Sequence, residues 1–152
     1  METLQHKTII YDPTCPLCAA YTGLFLKTGV LDKNGRLAFS QADEKLLAKL
    51  DLKRARHEIP LYDTATGEVL YGLDGLTLIV SRLLPFTAGF VTRPWFKAAV
   101  RPLYKFISYN RKVIANSPTV TEGFDCSPDY HIGWRLALAM VGVAYTGLCI
   151  YL

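Results

Sequence analysis

Two cysteines separated by two residues, Cys15 and Cys18, are the side chains of this sequence best suited to chemistry. A β-like run at Lys7–Tyr11 precedes them and a helix-like run follows them, which places Cys15 in the first turn of a helix. Unpaired backbone N–H groups and the helix dipole favour the thiolate form of a thiol in that turn. A C-x-x-C pair between a strand and a helix therefore predicts thiol-disulfide exchange.

In that chemistry we predict Cys15 as the catalytic nucleophile and Cys18, one turn inward, as the catalytic thiol that resolves the mixed disulfide. Two other interpretations of the pair stay open, namely buried structural thiols and half of a zinc site. A structural zinc site takes four ligands, whereas the sequence has no second C-x-x-C and its three histidines show no paired spacing. We therefore expect no metal and no other cofactor, and keep a metal carrier using both thiols as a third functional hypothesis.

Two neighbours of the cysteines are candidate supporting residues. Pro16 sets the turn between the sulfurs, and the C-P-x-C form is more like glutaredoxins than thioredoxins, so a glutathione-dependent monothiol cycle is an alternative. The Asp12 carboxylate admits three roles: it raises the pKa of Cys15, accepts a proton from Cys18, or caps the turn through the N–H of Thr14 or Cys15. Of these, we expect the local capping role.

The elements that position these residues follow from periodicity, caps and turn signals. Strands are expected at residues 7–11, 37–40, 59–62 and 68–72, the last two joined by a turn at 64–67. Helices are expected at residues 16–28 with Gly29 as a left-handed cap, at 42–50 with Ser40 as cap, and after Asp74. This order predicts an α/β fold of the thioredoxin-like sandwich type, with additional helices at the C-terminal end.

Pro60, at the start of the third predicted strand, is the remaining supporting candidate. In thioredoxin-like folds a cis-proline at this place faces the cysteine pair, and the residue before it pairs with the substrate backbone. Ile59 holds that preceding place, and the sequence leaves the cis and trans forms of the Pro60 bond open. Tyr11 and His57 are candidates for the same substrate groove, although ordinary packing or a surface position is the simpler explanation for each.

The composition fits one folded domain with an appendage. Apolar residues make up 51% of the 152 residues and charged residues 20%, which excludes disorder for most of the chain. Residues 75–121 hold seven Lys or Arg and no acid, and residues 92–111 predict a helix that Pro102 kinks or divides. The basic stripe of that helix faces either anionic lipid headgroups or water, and we expect no nucleic-acid partner. The stripe comprises Arg93, Lys97, Arg101 and Lys105.

The last segment, residues 132–152, is apolar and carries no charge from residue 136 onward. About 20 helical residues cross a bilayer, so we predict a single transmembrane helix, with Arg135 snorkelling and Trp134 and Tyr151 at opposite interfaces. The alternative is a fully buried core helix. Because Lys and Arg lie upstream and no secretory leader is evident, we expect the preceding domain on the cytoplasmic side of the membrane.

The chain resembles a known family at several places. Residues 12–18, with the sequence DPTCPLC, are similar to the D-x-x-C-x-x-C signature of the DCC thiol-disulfide oxidoreductase-like proteins, a family described as thioredoxin-like. Further likenesses lie at residues 71–75, at Pro94, at residues 101–104 and at residues 109–111, the last containing an Asn-Arg pair. The resemblance covers residues 7–112, departing at Pro13, where the family commonly has glycine.

The resemblance implies a protein-disulfide reductase or related oxidoreductase and leaves its substrate unspecified. Expected partners are a disulfide-containing protein or small thiol, an electron donor of the thioredoxin or glutathione type, and a membrane. The predicted organisation is a redox domain at residues 1–112, including the basic helix, a linker at 113–131 and the apolar segment at 132–152. The competing hypothesis from another class is a non-catalytic membrane adaptor that uses the groove only for binding.

Overall fold

A computed structural model describes residues 3–118 and 124–152 of the chain. Its described part contains a four-stranded sheet and seven α-helices. The strands are β1 (Lys7–Tyr11), β2 (Arg36–Ala38), β3 (Pro60–Asp63) and β4 (Val69–Tyr71). The helices are α1 (Pro16–Lys27), α2 (Glu44–Leu47), α3 (Leu52–Ala55), α4 (Leu73–Leu83), α5 (Ala88–Val91), α6 (Pro94–Ile114) and α7 (Ile132–Tyr151).

The sheet has the strand order β2-β1-β3-β4. Strands β1 and β2 are parallel, as the crossover through α1 requires, whereas β3 runs antiparallel to both β1 and β4. A β-α-β unit followed by an antiparallel hairpin and the helix α4 is the arrangement expected from the sequence. The predicted α/β class and thioredoxin-like sandwich are therefore confirmed.

Both faces of the sheet are covered, and β1 lies at its centre. Ile9 and Ile10 are each fully buried but belong to different core clusters, because successive strand residues point to opposite faces. Ile9 packs with residues such as Phe25 and Ile79 of α1 and α4, and Ile10 packs with residues such as Phe39. The C-terminal end of β1, which leads into the cysteine turn, is thus held rigidly from both sides.

The segment between β2 and β3 differs from the sequence prediction. The prediction of a single helix over residues 42–50 with Ser40 as its cap is wrong. Ser40 lies in a short 3-10 turn, and two separate one-turn helices follow it. Asp43 Oδ1 accepts from the N–H of Leu46 at 2.9 Å, and Asp51 Oδ1 accepts from the N–H of Arg54 at 3.0 Å. Each aspartate therefore caps the start of a separate helix, because its side chain accepts a hydrogen bond from a backbone N–H of the first turn that would otherwise have no partner.

The helix α6 runs without interruption across Pro102, so the prediction that this proline divides the helix is wrong. Ala98 and Pro102 are both exposed, and the carbonyl that loses its donor can be hydrated there. After α6, residues 119–123 of the predicted linker lie outside the described residues. Beyond them, Phe124 packs against Phe39 at 5.1 Å and Cys126 is buried.

The helix α7 contacts α6 only near its own start. Asn110 Nδ2 donates to the Trp134 carbonyl at 3.0 Å, and the Tyr109 ring stacks on Trp134 at 6.3 Å. Residues 139–152 are exposed, so the alternative of a fully buried core helix is wrong. By length and composition α7 is long and apolar enough to cross a membrane, and it is the one helix in the described part of the chain that meets this criterion.

Candidate redox site

The Cys15 sulfur occupies the N-cap of α1. Its backbone is extended, with φ −94° and ψ 107°, and Pro16 supplies the first helical residue, where a missing N–H is harmless. The sulfur accepts a hydrogen bond from the N–H of Cys18 at 3.4 Å. The C-x-x-C spacing therefore brings the two thiols together on one turn, with both side chains buried and Pro16 exposed.

The two thiols have opposite pKa shifts. The hydrogen bond from the Cys18 side chain lowers the pKa of Cys15 from 9.0 to about 6, assisted by the Cys18 N–H and the Arg111 charge and opposed by burial. The same hydrogen bond and burial raise the pKa of Cys18 far above its usual range. At neutral pH this pair is a thiolate at Cys15 beside a thiol at Cys18.

Asp12 uses its two carboxylate oxygens differently. Oδ1 accepts from the N–H of Thr14 at 2.9 Å and from its hydroxyl at 2.6 Å, which is the local turn expected from the sequence. Oδ2 lies 3.4 Å from Lys112 Nζ and 4.0 Å from Arg111 Nη2, and has no hydrogen-bond partner among the described residues. This buried carboxylate thus links the cysteine turn to two cations.

Those two cations, at the end of α6, were not among the sequence-predicted site residues. Arg111 is buried and donates to the Cys126 carbonyl, while its Nε has no hydrogen-bond partner within residues 3–118 and 124–152. Lys112 Nζ donates to the Thr14 hydroxyl at 2.9 Å and to the Pro118 carbonyl at 3.3 Å. The Asn-Arg pair in the family resemblance was the available signal for Arg111, whereas Lys112 had none.

A small cavity lies beneath the cysteine turn. Its lining includes Asp12, Cys18, Ile59, Pro60, Arg111 and Cys126. Burial raises the pKa of the Cys126 thiol to about 12, so this third thiol is neutral. No two of the four cysteines are bonded, and the described residues contain no group of three side chains able to ligate a metal.

Pro60 and Ile59 approach the cysteines as expected from the thioredoxin-like topology. No peptide bond in the described ranges is cis, so Pro60 takes the trans alternative. The Ile59 N–H donates to the Tyr104 hydroxyl at 3.3 Å, and the Ile59 carbonyl accepts from the N–H of Gly72 at 2.9 Å. Because both backbone groups of Ile59 are engaged, substrate pairing there requires displacement of a protein partner.

The structure places the two other groove candidates elsewhere. The Tyr11 ring lies against the guanidinium of Arg36 at 3.9 Å and packs with the Ile9 cluster. The His57 ring stacks on Tyr109 at 4.7 Å, and its Nε2 contacts Asp129 Oδ2 at 2.9 Å. Neither side chain lines the cavity that holds Cys18.

Two thiols of opposite pKa shift, placed between a strand and a helix of this α/β sandwich, define a protein of the thiol-redox class. The family model of the DCC1-like thiol-disulfide oxidoreductases matches residues 9–116, which include most of the sheet, the cysteine turn and the whole of α6. The chain therefore belongs to the DCC1-like thiol-disulfide oxidoreductase family, as its resemblance indicated. Comparisons with curated proteins and with solved structures give no match.

Proposed function

We propose that this protein is a thiol-disulfide oxidoreductase that works by dithiol exchange at Cys15 and Cys18 and is tethered to a membrane by α7. The observation that carries the redox part is the unequal ionisation of the pair. A pKa of about 6 at Cys15 supplies a thiolate at neutral pH, while the raised pKa of Cys18 keeps its proton until the second step.

The exchange has two steps. The Cys15 thiolate attacks one sulfur of a substrate disulfide, forming a mixed disulfide and releasing the other substrate sulfur as a thiolate. The Cys18 sulfur then attacks Cys15, which releases the second substrate thiolate and leaves a Cys15–Cys18 disulfide. Two electrons thus pass to the substrate, and an external dithiol or two monothiols, of the thioredoxin or glutathione type, return the pair to the reduced form.

Asp12 is the proposed acceptor for the Cys18 proton in the second step. Its Oδ2 has no hydrogen-bond partner in the described structure, and the residue lines the same cavity as Cys18. Arg111, which lowers the pKa of both Cys15 and Cys18, stabilises the developing thiolate. The carboxylate therefore acts on the resolving step, whereas the guanidinium favours the thiolate in both steps.

Access to Cys15 requires a local opening, since its side chain is 0% exposed in the reduced protein. The Ser117 hydroxyl, in the chain just after α6, lies close enough to Cys15 to lower the pKa of its thiol. We expect a disulfide-containing protein or small thiol substrate to displace that segment. Glutaredoxin-like monothiol activity, which uses Cys15 alone, is a variant of the same proposal.

The burial of Cys15 also favours a second candidate, a non-catalytic binding domain that retains the fold. In that case the groove near Pro60 binds a partner and the thiols contribute only to packing. The two candidates differ in the ionisation and exchange of Cys15, which are measurable directly.

The membrane part of the proposal rests on α7. Its 20 residues are long enough for a hydrocarbon layer of about 30 Å, and residues 139–152 make no burying contact with the described domain. The excess of Lys and Arg upstream supports a domain on the cytoplasmic side.

The test uses the full chain in detergent or in vesicles, a reference protein disulfide as substrate and a thiol reductant. Cys15→Ser should abolish reduction, and Cys18→Ser should accumulate a mixed disulfide that identifies the substrate. Cys149→Ser, on the exposed part of α7, is the matched thiol control and should be as active as the unmodified chain. Undiminished reduction by Cys15→Ser would refute the assigned role of Cys15, whereas a Cys15 that never exchanges in the unmodified chain would favour the binding-domain alternative.

A further inference from the structure

One side of α6 carries exposed apolar residues along the whole helix. Trp95 is 57% exposed, Leu103 58%, Ile107 39% and Val113 57%. At about 100° per residue these four positions fall within an arc of about 120°. In a soluble protein such an arc normally faces the core, so the exposure of these four residues indicates a partner.

The opposite side of α6 holds the redox domain. Lys97 Nζ contacts Asp74 Oδ1 at 2.6 Å, the Tyr104 hydroxyl accepts from the N–H of Ile59, and the Ser108 hydroxyl donates to the His57 carbonyl. Arg111 is buried on the same side. These contacts centre about 130° around the helix from the middle of the arc, so the domain leaves the four apolar residues exposed.

The segment that contains the arc is cationic. Residues 75–121 contain seven Lys or Arg without any acid, and Arg101 and Lys105 are exposed on the side of α6 away from the arc. At the start of the helix, Phe90 packs on Trp95 at 4.9 Å, and Phe86 is 83% exposed nearby in sequence. A helix with apolar and aromatic residues on one side and Lys and Arg on the other has the pattern of a helix that lies in the headgroup layer of an anionic bilayer.

The arc is also continuous with α7. Asn110 lies within the arc of α6, and its Nδ2 donates to the carbonyl of Trp134 in the first turn of α7. The start of α7 therefore lies on the side of α6 that carries the arc, and the apolar remainder of α7 is exposed. A bilayer that receives α7 is then next to the arc.

We propose that α6 lies in the plane of an anionic phospholipid bilayer, with its apolar arc toward the acyl chains and with the cations of its other side attracted by the negative charge of the bilayer surface. The inference rests on the membrane part of the proposed function and not on the redox part. Arg111 and Lys112 hold the cysteine turn against the other side of α6, so the redox site lies about one helix diameter from the lipid. Disulfides of other membrane-bound proteins are then the substrates within reach.

The test reports on Trp95 in the full chain. The sequence has two tryptophans, so Trp134→Phe leaves Trp95 as the single emitter. The protein is reconstituted in vesicles of phosphatidylcholine with phosphatidylglycerol, and in phosphatidylcholine alone, each containing lipids with a spin label at a shallow or a deep position. We expect shallow-label quenching of Trp95 and a blue-shifted emission in the anionic vesicles, and less of both in the neutral ones.

Variants distinguish the arc from a general effect of charge. Leu103→Glu with Ile107→Glu should abolish the quenching, whereas Lys33→Glu, on an exposed turn of the other end of the domain, should leave it unchanged. Circular dichroism and the ionisation of Cys15 verify that each variant is folded. The disulfide reduction assay on the same samples separates this proposal from the redox proposal, since either can fail alone.

Three results would overturn the inference. Trp95 that is not quenched in the anionic vesicles excludes a lipid contact. Blue-shifted emission without quenching, together with cross-links between copies through this arc, assigns the surface to a second copy of the chain. Equal quenching in neutral and anionic vesicles refutes the requirement for anionic lipid.

Discussion

The hydrogen bond from Cys18 to Cys15 is predicted to set the reactivity of the site. The Cys18 side chain makes the largest contribution to the lowered pKa of Cys15. Cys18→Ala removes this donor and leaves the charge of Arg111 in place. Cys18→Ser keeps a hydroxyl donor of nearly the same size. The alanine variant should therefore raise the pKa of Cys15 from about 6 toward 9.0, while the serine variant keeps it low.

The magnitude follows from the definition of pKa. At pH 7 a group with a pKa of about 6 is ~90% thiolate, whereas one with the reference pKa of 9.0 is ~1% thiolate. A full return to the reference value would thus lower the thiolate fraction about 90-fold. Thiolates of lower pKa are intrinsically weaker nucleophiles, with a Brønsted slope of about 0.4–0.5, so rates change less than thiolate fractions. The titration midpoint is therefore the quantity to measure.

The assay is the ultraviolet absorbance of the thiolate, recorded across pH for each variant and referenced to Cys15→Ser. Absorbance is preferable to alkylation because it does not require a reagent to reach a buried sulfur. A higher midpoint in Cys18→Ala than in Cys18→Ser supports the reasoning. The same low midpoint in both variants would refute it, as would a reference-like midpoint in the unmodified chain.

Three further predictions concern the surroundings of the pair. Arg111→Met should raise the pKa of Cys15, whereas Arg111→Lys should largely preserve it, as the same titration would detect. Asp12→Asn retains an oxygen that can accept from Thr14 but loses the carboxylate that accepts the proton. The mixed disulfide should therefore resolve about 100-fold more slowly in rapid-quench experiments. An unchanged rate of resolution would exclude the role assigned to Asp12. Because the pKa of Cys15 is lowered in the folded protein, the unfolded chain binds more protons than the folded one between pH 6 and 9. The urea midpoint of the reduced protein should therefore rise with pH in that window, and this gain should be lost as the pH falls through about 6. The slope should be absent in Cys15→Ser.

Predictions from the sequence succeeded where neighbours along the chain decide the structure. The strand β1, the helix α1 and the left-handed Gly29, with φ +71°, all follow from short-range signals and match the structure. The prediction for residues 42–50 failed because Asp43 and Asp51, rather than Ser40, are the caps, and each starts a separate short helix. Periodicity alone does not rank such caps.

The sequence by itself determined that the two thiols lie close together, since two thiols at this spacing on a helix start must share a turn. It also determined that α7 is long and apolar enough to cross a membrane. Only the tertiary structure decided what surrounds the thiols, because Thr14 and Lys112 meet across 98 positions of sequence through the packing of α6. No spacing rule connects such distant residues, and their contact depends on where a whole helix docks. For the same reason only the fold distinguishes the side of α6 that holds the redox site from the side that stays exposed.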